Sequence, residues 1–234
     1  MSTAYRYLVA VLTFVCCTDV SAAAYPTEDQ LRTAIEDVSV LLKVEGLELA
    51  ILDAQKEGVA YPLMAAGLNL GSGVCLVFYS TKPTDGLNQF FDSVDEKELP
   101  IWLKAIAVHE ATHCIEQREA YIHKRFDKVL PQDVKRDNMT VQGYLSVVKS
   151  GAVETWGETL ADIASVLYLK QAVPDDWQRY ARGIAAMRHD LAVKWPAHDT
   201  SVWLYKLIAA NAEKAPEQSI FEAAFQLRRE LQSE

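Results

Sequence analysis

The sequence predicts an α+β fold that is mostly helical, with a small sheet beside two helices that carry the candidate functional residues. Three observations support this prediction. Apolar residues recur at three- and four-residue steps along most of the chain, one short β-branched run stands apart from them, and no repeat or low-complexity tract interrupts the pattern.

The composition limits both the domain count and the class of partner. The chain has 234 residues, of which 50% are hydrophobic, enough for one sizeable core, so we predict a single domain over residues 23–234. The 32 acidic residues outnumber the 23 basic ones and give a net charge of −9. Because no basic cluster interrupts this acidic balance, we expect no nucleic acid among the partners.

The first 22 residues have the pattern of a signal peptide. A weakly positive start ends at Arg6, an apolar run covers Leu8–Cys17, and Asp19 precedes the small residues of a cleavage site at 20–22. Ten helical residues rise about 15 Å, half of a bilayer core, so no stable membrane span is expected. We predict an exported protein, periplasmic or secreted, that begins near Ala23; the alternative is a buried N-terminal helix.

Export would leave two cysteines in the mature chain, Cys75 and Cys114. In an oxidising compartment they can form a single disulfide. Two buried free thiols are the alternative, and the sequence leaves both open.

The first part of the mature chain combines a helix with the clearest strand. From Pro26 to about Asp53, apolar residues follow helical steps, which predicts one helix. Val74–Tyr79 is predicted to be a strand because it is short and β-branched. Val59–Met64 is the best candidate for its pairing partner, and Gly67–Gly73 is predicted to be a loop.

Helical patterns dominate the rest of the chain. Pro100 opens the longest pattern, which runs to about Phe126, since proline is tolerated in the first turn of a helix. Four further helices are predicted at Ala152–Gln171, Asp175–Leu191, Ser201–Ala212 and Pro216–Leu231.

The motif H-E-x-x-H, formed by His109, Glu110 and His113, lies inside the long helix. Four residues advance about 400° around a helix, so the two imidazoles lie about 40° apart on one face. That spacing lets both bind one tetrahedral Zn²⁺ ion. Glu110 lies about 100° away from His109, where it can take a proton from a metal-activated water.

The surrounding residues indicate that this helix is buried, because apolar side chains occupy most of its sides. Two histidines and a glutamate in a buried helix need partners, since burying ionisable groups without compensation costs several kcal/mol. A metal ion would compensate all three. The alternative is a pair of core histidines that bind no metal.

A catalytic zinc ion needs a third protein ligand and an open fourth position. His123 is ten residues beyond His113, about 15 Å along a helix, and cannot reach. The metzincin extension is also absent, because Glu116 and Glu119 stand where that pattern requires glycine and histidine. Glu116 shares the face of the histidines and remains a rival ligand.

A stronger candidate for the third ligand is found in the predicted helix Ala152–Gln171. Glu154, Glu158 and Asp162 form an acidic stripe at four-residue spacing, where like charges repel and call for a facing cation. Glu158 as a zinc ligand, with Asp162 accepting the ring N–H of His109, explains two of the three acids. A solvated acidic edge is the alternative.

These two motifs resemble those of the gluzincin metallopeptidases, the group that includes thermolysin and neprilysin. The resemblance rests on His109–His113 and on Gly157–Asp162, which is similar to the G/N-E-x-x-x-D element of the family's second active-site helix. It covers about sixty residues of the chain and implies a zincin-like pair of active-site helices.

The resemblance also implies an activity. It implies a zinc metallopeptidase that cleaves peptide or protein substrates, with Zn²⁺ on His109, His113 and Glu158, Glu110 as general base, and Asp162 behind a ligating histidine. The alternative function is a catalytically inactive zinc-binding protein that acts as a partner-binding or structural module. Glu110 distinguishes the two, because a purely structural site has no use for it.

Two further features follow from the same resemblance. An exposed edge strand upstream of the first helix should align the substrate, and Val74–Tyr79 fits that place. A downstream side chain should stabilise the oxyanion, and His198 is the preferred candidate, with His189, Tyr180 and Tyr205 as alternatives.

Overall fold

The computed structural model describes residues 25–60, 63–82, 87–211 and 218–233. Within these ranges the fold is α+β and mostly helical, which confirms the predicted class. The predicted signal peptide at 1–22 lies outside the described residues and stays a prediction.

The helices are α1 (Glu28–Val44), α2 (Leu87–Asp92), α3 (Leu99–Tyr121), α4 (Phe126–Val129), α5 (Val141–Lys149), α6 (Glu154–Ala172), α7 (Trp177–Leu191), α8 (Ser201–Ala210) and α9 (Ile220–Gln232), with a 3₁₀ turn at Pro196–His198. The strands are β1 (Leu49–Asp53), β2 (Met64–Leu68) and β3 (Cys75–Tyr79).

The described strands form one mixed sheet with the order β1-β3-β2. β1 runs parallel to β3, whereas β2 runs antiparallel to it. The prediction that Val74–Tyr79 is an exposed edge strand is therefore wrong. β3 is the central strand because both of its sides are hydrogen-bonded, and β2 forms the edge that lies against α3.

Two other sequence predictions fail in the same region. The first helix ends at Val44 instead of Asp53, because Gly46 adopts a positive φ of 73°. Its N–H and that of Leu47 bond back to helix carbonyls, which makes a Schellman ending. The strand that pairs antiparallel with β3 covers Met64–Leu68, so it begins where the predicted partner ends and includes Gly67 from the predicted loop.

α3 is the central helix of the fold. It begins at Leu99 with Pro100 in its first turn, and it packs against α1, α6 and the edge strand β2. It ends at Tyr121, earlier than the predicted Phe126, and the chain then forms the short helix α4. Because α3 has neighbours on several sides, its apolar residues surround it instead of forming one stripe.

Cys75 and Cys114 form a disulfide between β3 and α3. Both residues are fully buried, and the bond removes the alternative of two free thiols. Cys114 directly follows His113, so the bond ties the helix that carries the candidate motif to the central strand. Among the described helices, none is long and apolar enough to cross a membrane.

Candidate metal centre

Three candidate ligands converge where α3 meets α6. The Nε2 atoms of His109 and His113 lie 3.2 Å apart. Oε2 of Glu158 is 3.3 Å from His109 Nε2, and Oε1 of Glu158 is 3.5 Å from His113 Nε2. Four ligands at about 2.0–2.1 Å in a tetrahedron are about 3.3–3.4 Å apart, so each of these three separations is close to a tetrahedral edge, with a different oxygen of Glu158 nearest to each histidine.

The cluster is shielded from solvent. His109 is 8% exposed and Glu158 is 9% exposed, while His113 is partly buried. Two imidazole nitrogens and one carboxylate are a donor set that divalent transition metals accept. This buried group can therefore bind a metal ion.

Asp162 lies directly behind His109, one helical turn after Glu158. Its Oδ1 is 2.8 Å from Nδ1 of His109, and Asp162 is 2% exposed. With the proton on Nδ1 donated to this carboxylate, the lone pair of Nε2 faces the cluster. Asp162 thus orients the ring that the motif supplies.

Arg188 on α7 is a site residue that the sequence analysis missed. Its Nε donates to Asp162 Oδ2 and its Nη2 donates to Oδ1, each at 2.8 Å. Nη2 also lies 3.1 Å from Oε2 of Glu158 and 3.2 Å from Nε2 of His109. Helical periodicity could have indicated it, because Arg188 lies one turn from Ile184 on the buried side of α7. It is also the cation that the acidic stripe of α6 was expected to face.

Thr200 is a second residue that the analysis missed. Its hydroxyl donates to Oδ2 of Asp162 at 2.5 Å, and the residue is fully buried. No local pattern in the sequence singles it out, because it lies in the turn before α8 and reaches α6 only in the folded chain.

The acidic side chains around the cluster are balanced by positive charge, which a proton on His109 or a bound metal ion can supply. The described residues that line the adjoining cavity include the three carboxylates of Glu110, Glu158 and Asp162 and the single guanidinium of Arg188. With neutral histidines, these four side chains carry a net charge of −2. A bound dication would neutralise them.

The pKa values follow from burial and from these charges. Burial raises the pKa of Glu110 to about 7, against the opposing influence of His109 and Arg188. Burial and Arg188 disfavour a charged His109, but Asp162 and Glu158 outweigh them and raise its pKa to about 10. Binding a metal at this group therefore displaces a proton from His109.

The two acids on α6 behave in the opposite sense. Burial disfavours the carboxylate of Glu158, but His109 and the other nearby cations hold its pKa well below its usual range. Burial is likewise outweighed at Asp162, where Arg188 and His109 lower the pKa to about 2. Both acids are thus ionised at neutral pH.

His198 lies at the rim of the cluster, in the 3₁₀ turn. Its Nε2 is 3.0 Å from Oε1 of Glu154, and its Nδ1 is 3.5 Å from Oε2 of Glu158. Glu154 thus holds a cavity-lining histidine and does not join the candidate ligands.

The alternatives to His198 lie elsewhere in the described structure. The side chain of His189 is 73% exposed and faces Asp199. Tyr205 is 49% exposed, and Tyr180 is buried against the ring of Trp102. Of the four candidates, His198 is the one that lines the cavity.

A cavity of about 390 Å³ opens beside the cluster. Its walls are mainly apolar. Glu110, which lies between His109 and His113 in the sequence of α3, also lines it. The larger apolar side chains that line it include Leu63, Phe90, Trp102, Ile106, Met187 and Trp195.

Glu116, the rival ligand, does not join the cluster. Its Oε1 accepts a hydrogen bond from Nη1 of Arg228 at 2.9 Å. Although Glu116 is only three residues beyond His113, its carboxylate is held by the C-terminal helix α9.

Comparison with family models, with curated proteins and with solved structures finds no match to this chain.

Proposed function

We propose that this protein is an exported zinc metallopeptidase of the gluzincin type. The observation that carries the proposal is the triangle of side chains formed by His109, His113 and Glu158, beside an apolar cavity that Glu110 also lines. The two Nε2 atoms lie 3.2 Å apart, and each lies 3.3–3.5 Å from one oxygen of Glu158. Two histidines and one carboxylate with a further position left for solvent are typical of catalytic zinc sites.

The residues around the triangle fit a zinc ion. Asp162 gives His109 the tautomer that a ligand needs. With neutral histidines, the carboxylates of Glu110, Glu158 and Asp162 together with Arg188 carry a charge of −2, which matches a dication. When bound, zinc supplies Lewis-acid chemistry, because it lowers the pKa of water and polarises a carbonyl group.

Glu110 is assigned the role of general base. A carboxylate whose pKa is raised to about 7 can accept a proton from water at neutral pH and return it to the leaving amine. His198 is assigned to stabilising the oxyanion of the reaction. Its imidazole lines the cavity, with Nδ1 3.5 Å from Oε2 of Glu158, and can donate a hydrogen bond to a group bound in the cavity.

The edge strand β2 is assigned to substrate alignment in place of β3. Among the described strands it pairs with β3 alone, and Met64 and Ala65 line the cavity. An extended peptide can add to such an edge through backbone hydrogen bonds while one apolar side chain enters the cavity. At this edge Leu68 N–H donates to Gln117 Oε1. Ala66 N–H donates to the carboxylate of Glu110, which leaves the part near Met64 for a substrate.

Export is supported by the disulfide. Cys75 and Cys114 are joined in the core of the fold, and structural disulfides persist in oxidising compartments. We therefore propose a periplasmic or secreted protein, in agreement with the pattern at residues 1–22.

The test compares wild type with Glu110→Gln and Glu158→Ala, using zinc content and hydrolysis of a fluorogenic peptide library. We expect Glu110→Gln to retain zinc but to lose about 10²–10⁴-fold in activity, the usual contribution of a general base. Glu158→Ala should lose zinc. The control is Glu36→Gln on the exposed face of α1, which should change neither.

Each outcome has a defined meaning. Hydrolysis retained by Glu110→Gln would refute the role of Glu110. Zinc bound by wild type without hydrolysis of any peptide would refute the peptidase and favour an inactive zinc-binding module. Equal zinc content in wild type and Glu158→Ala would remove Glu158 from the ligand set.

A further inference from the structure

A second buried ion pair lies behind the candidate metal centre and takes no part in the proposed chemistry. Arg228 on α9 is fully buried, and its Nη1 donates to Oε1 of Glu116 on α3 at 2.9 Å. The same nitrogen donates to the backbone carbonyl of Trp156 on α6 at 2.6 Å. One guanidinium thus joins both helices that supply the candidate metal ligands, and we call this arrangement the Arg228 clamp.

The clamp lies close to the ligands along both helices. Glu116 is three residues after His113, and Trp156 is two residues before Glu158. Between them, Gly157 allows a close approach, because a Cβ atom there would be only 3.2 Å from Oε2 of Glu116. The distance between α3 and α6 is therefore set next to the ligands themselves.

The clamp also includes an aromatic contact, while the buried Nε of Arg228 has no hydrogen-bond partner. The guanidinium of Arg228 stacks on the ring of Trp156, with its Cζ 4.2 Å from the ring centroid. Replacing a buried ion pair by apolar side chains of similar volume is often neutral or stabilising, because both charges lose their hydration in the fold. A pair that is dispensable for stability can still fix how two elements are placed.

We propose that Arg228 is a positioning residue for the metal centre, which holds α6 against α3 so that Glu158 reaches His109 and His113. This inference rests on the proposed function only in requiring that the cluster bind zinc. The donor separations of 3.2–3.5 Å leave little tolerance, since a shift of about 1 Å between the helices would exceed the spacing of a tetrahedral face.

The test is the double variant Glu116→Met/Arg228→Met, which replaces the pair by side chains of similar length. We expect the metal-free double variant to be as stable as wild type to urea. Its zinc affinity, measured by competition with a chromophoric chelator, should fall about 10–100-fold, as for other groups that orient ligands indirectly. The visible absorption of the Co²⁺-loaded protein should also change, because that spectrum reports the ligand geometry.

The matched control removes another ion pair that involves α3. Arg179 donates to both carboxylate oxygens of Glu98 at 2.7 and 3.0 Å, at the opposite end of the helix. Glu98→Met/Arg179→Met should leave zinc affinity and the Co²⁺ spectrum unchanged.

Wild-type zinc affinity and an unchanged Co²⁺ spectrum in the stable double variant would overturn the positioning role. If that variant does not fold, Gly157→Ala decides, because alanine favours the helix while its Cβ presses on Glu116. Weaker zinc binding by Gly157→Ala supports the clamp, and unchanged binding overturns it. A wild-type protein that binds no zinc would overturn the proposed function as well, whereas zinc binding without hydrolysis would overturn the peptidase alone.

Discussion

Asp162→Asn should weaken zinc binding by about 10–100-fold, the usual effect of removing a carboxylate that orients a ligating histidine. The two oxygens of Asp162 accept from His109, Arg188 and Thr200 at 2.5–2.8 Å. Asparagine has one acceptor oxygen. If that oxygen keeps His109, the amide NH₂ faces the N–H of Arg188 and the hydroxyl of Thr200.

The structure also gives a magnitude for the loss of stability. Leaving one member of a buried ion pair without its partner costs about 3–5 kcal/mol. Arg188 keeps a second carboxylate, since Glu158 Oε2 lies 3.1 Å from its Nη2. We therefore expect the lower end of that range, about 3 kcal/mol, for the metal-free protein.

The assays are chelator competition for zinc affinity and urea unfolding of the metal-free protein followed by circular dichroism. Thr200→Val is the control, because it removes one hydrogen bond to Asp162 but leaves His109 and Arg188 in contact with it. It should cost about 1 kcal/mol and leave zinc affinity unchanged. Wild-type zinc affinity in Asp162→Asn would refute the argument that this carboxylate orients His109.

Three further predictions concern the frame around the site. Burial disfavours the carboxylate of Glu119, but the basic side chains around it outweigh burial and hold its pKa below 4.5. Glu119→Gln should therefore lower the free energy of unfolding by about 1–3 kcal/mol at pH 7. The difference from wild type should vanish as the pH falls through the pKa of Glu119 in the folded state, and a difference that persists in strong acid would contradict this. Gly183→Ala places a Cβ 2.8 Å from Cη2 of Trp102, so it should lower the free energy of unfolding by about 1–3 kcal/mol and alter tryptophan fluorescence. Unchanged stability and unchanged fluorescence would contradict this prediction. Replacing Cys75 and Cys114 by alanine should cost about 2–4 kcal/mol in urea unfolding, whereas equal stability would show that the bond adds nothing.

Parts of the candidate site could be predicted because their signals are local. His109 and His113 share one helix, so their spacing alone brings their rings together. Glu158 and Asp162 lie on another helix, and what indicated them was an acidic stripe that needed a facing cation. The structure brings these four side chains together.

The residues that could not be predicted act across long distances in sequence. Arg188 reaches Asp162 from α7, and Arg228 reaches Glu116 across 112 residues. Helical periodicity puts such a residue on a buried face, but it does not say which acid it will meet. Thr200 has even less signal, because it lies in a turn.

The fold shows the same division. Most helices could be predicted from periodicity, and the helix that starts near Pro100 is an example. β1 was missed because apolar residues continue past Gly46, which ends α1 through its positive φ. The sequence analysis predicted β3 to be the edge strand, whereas β2 is the edge next to α3. The sequence of β3 identifies it as a strand but does not show which other strands pair with it.

Anomalous diffraction at the zinc absorption edge, from crystals of the purified protein, tests the central claim most directly. We expect one peak at about 2.0–2.1 Å from Nε2 of His109, Nε2 of His113 and a carboxylate oxygen of Glu158, with solvent in the remaining position. The absence of a peak, with Arg188 hydrogen-bonded across these donors, would contradict the metal centre. A fourth protein ligand in the open position would contradict its role in hydrolysis.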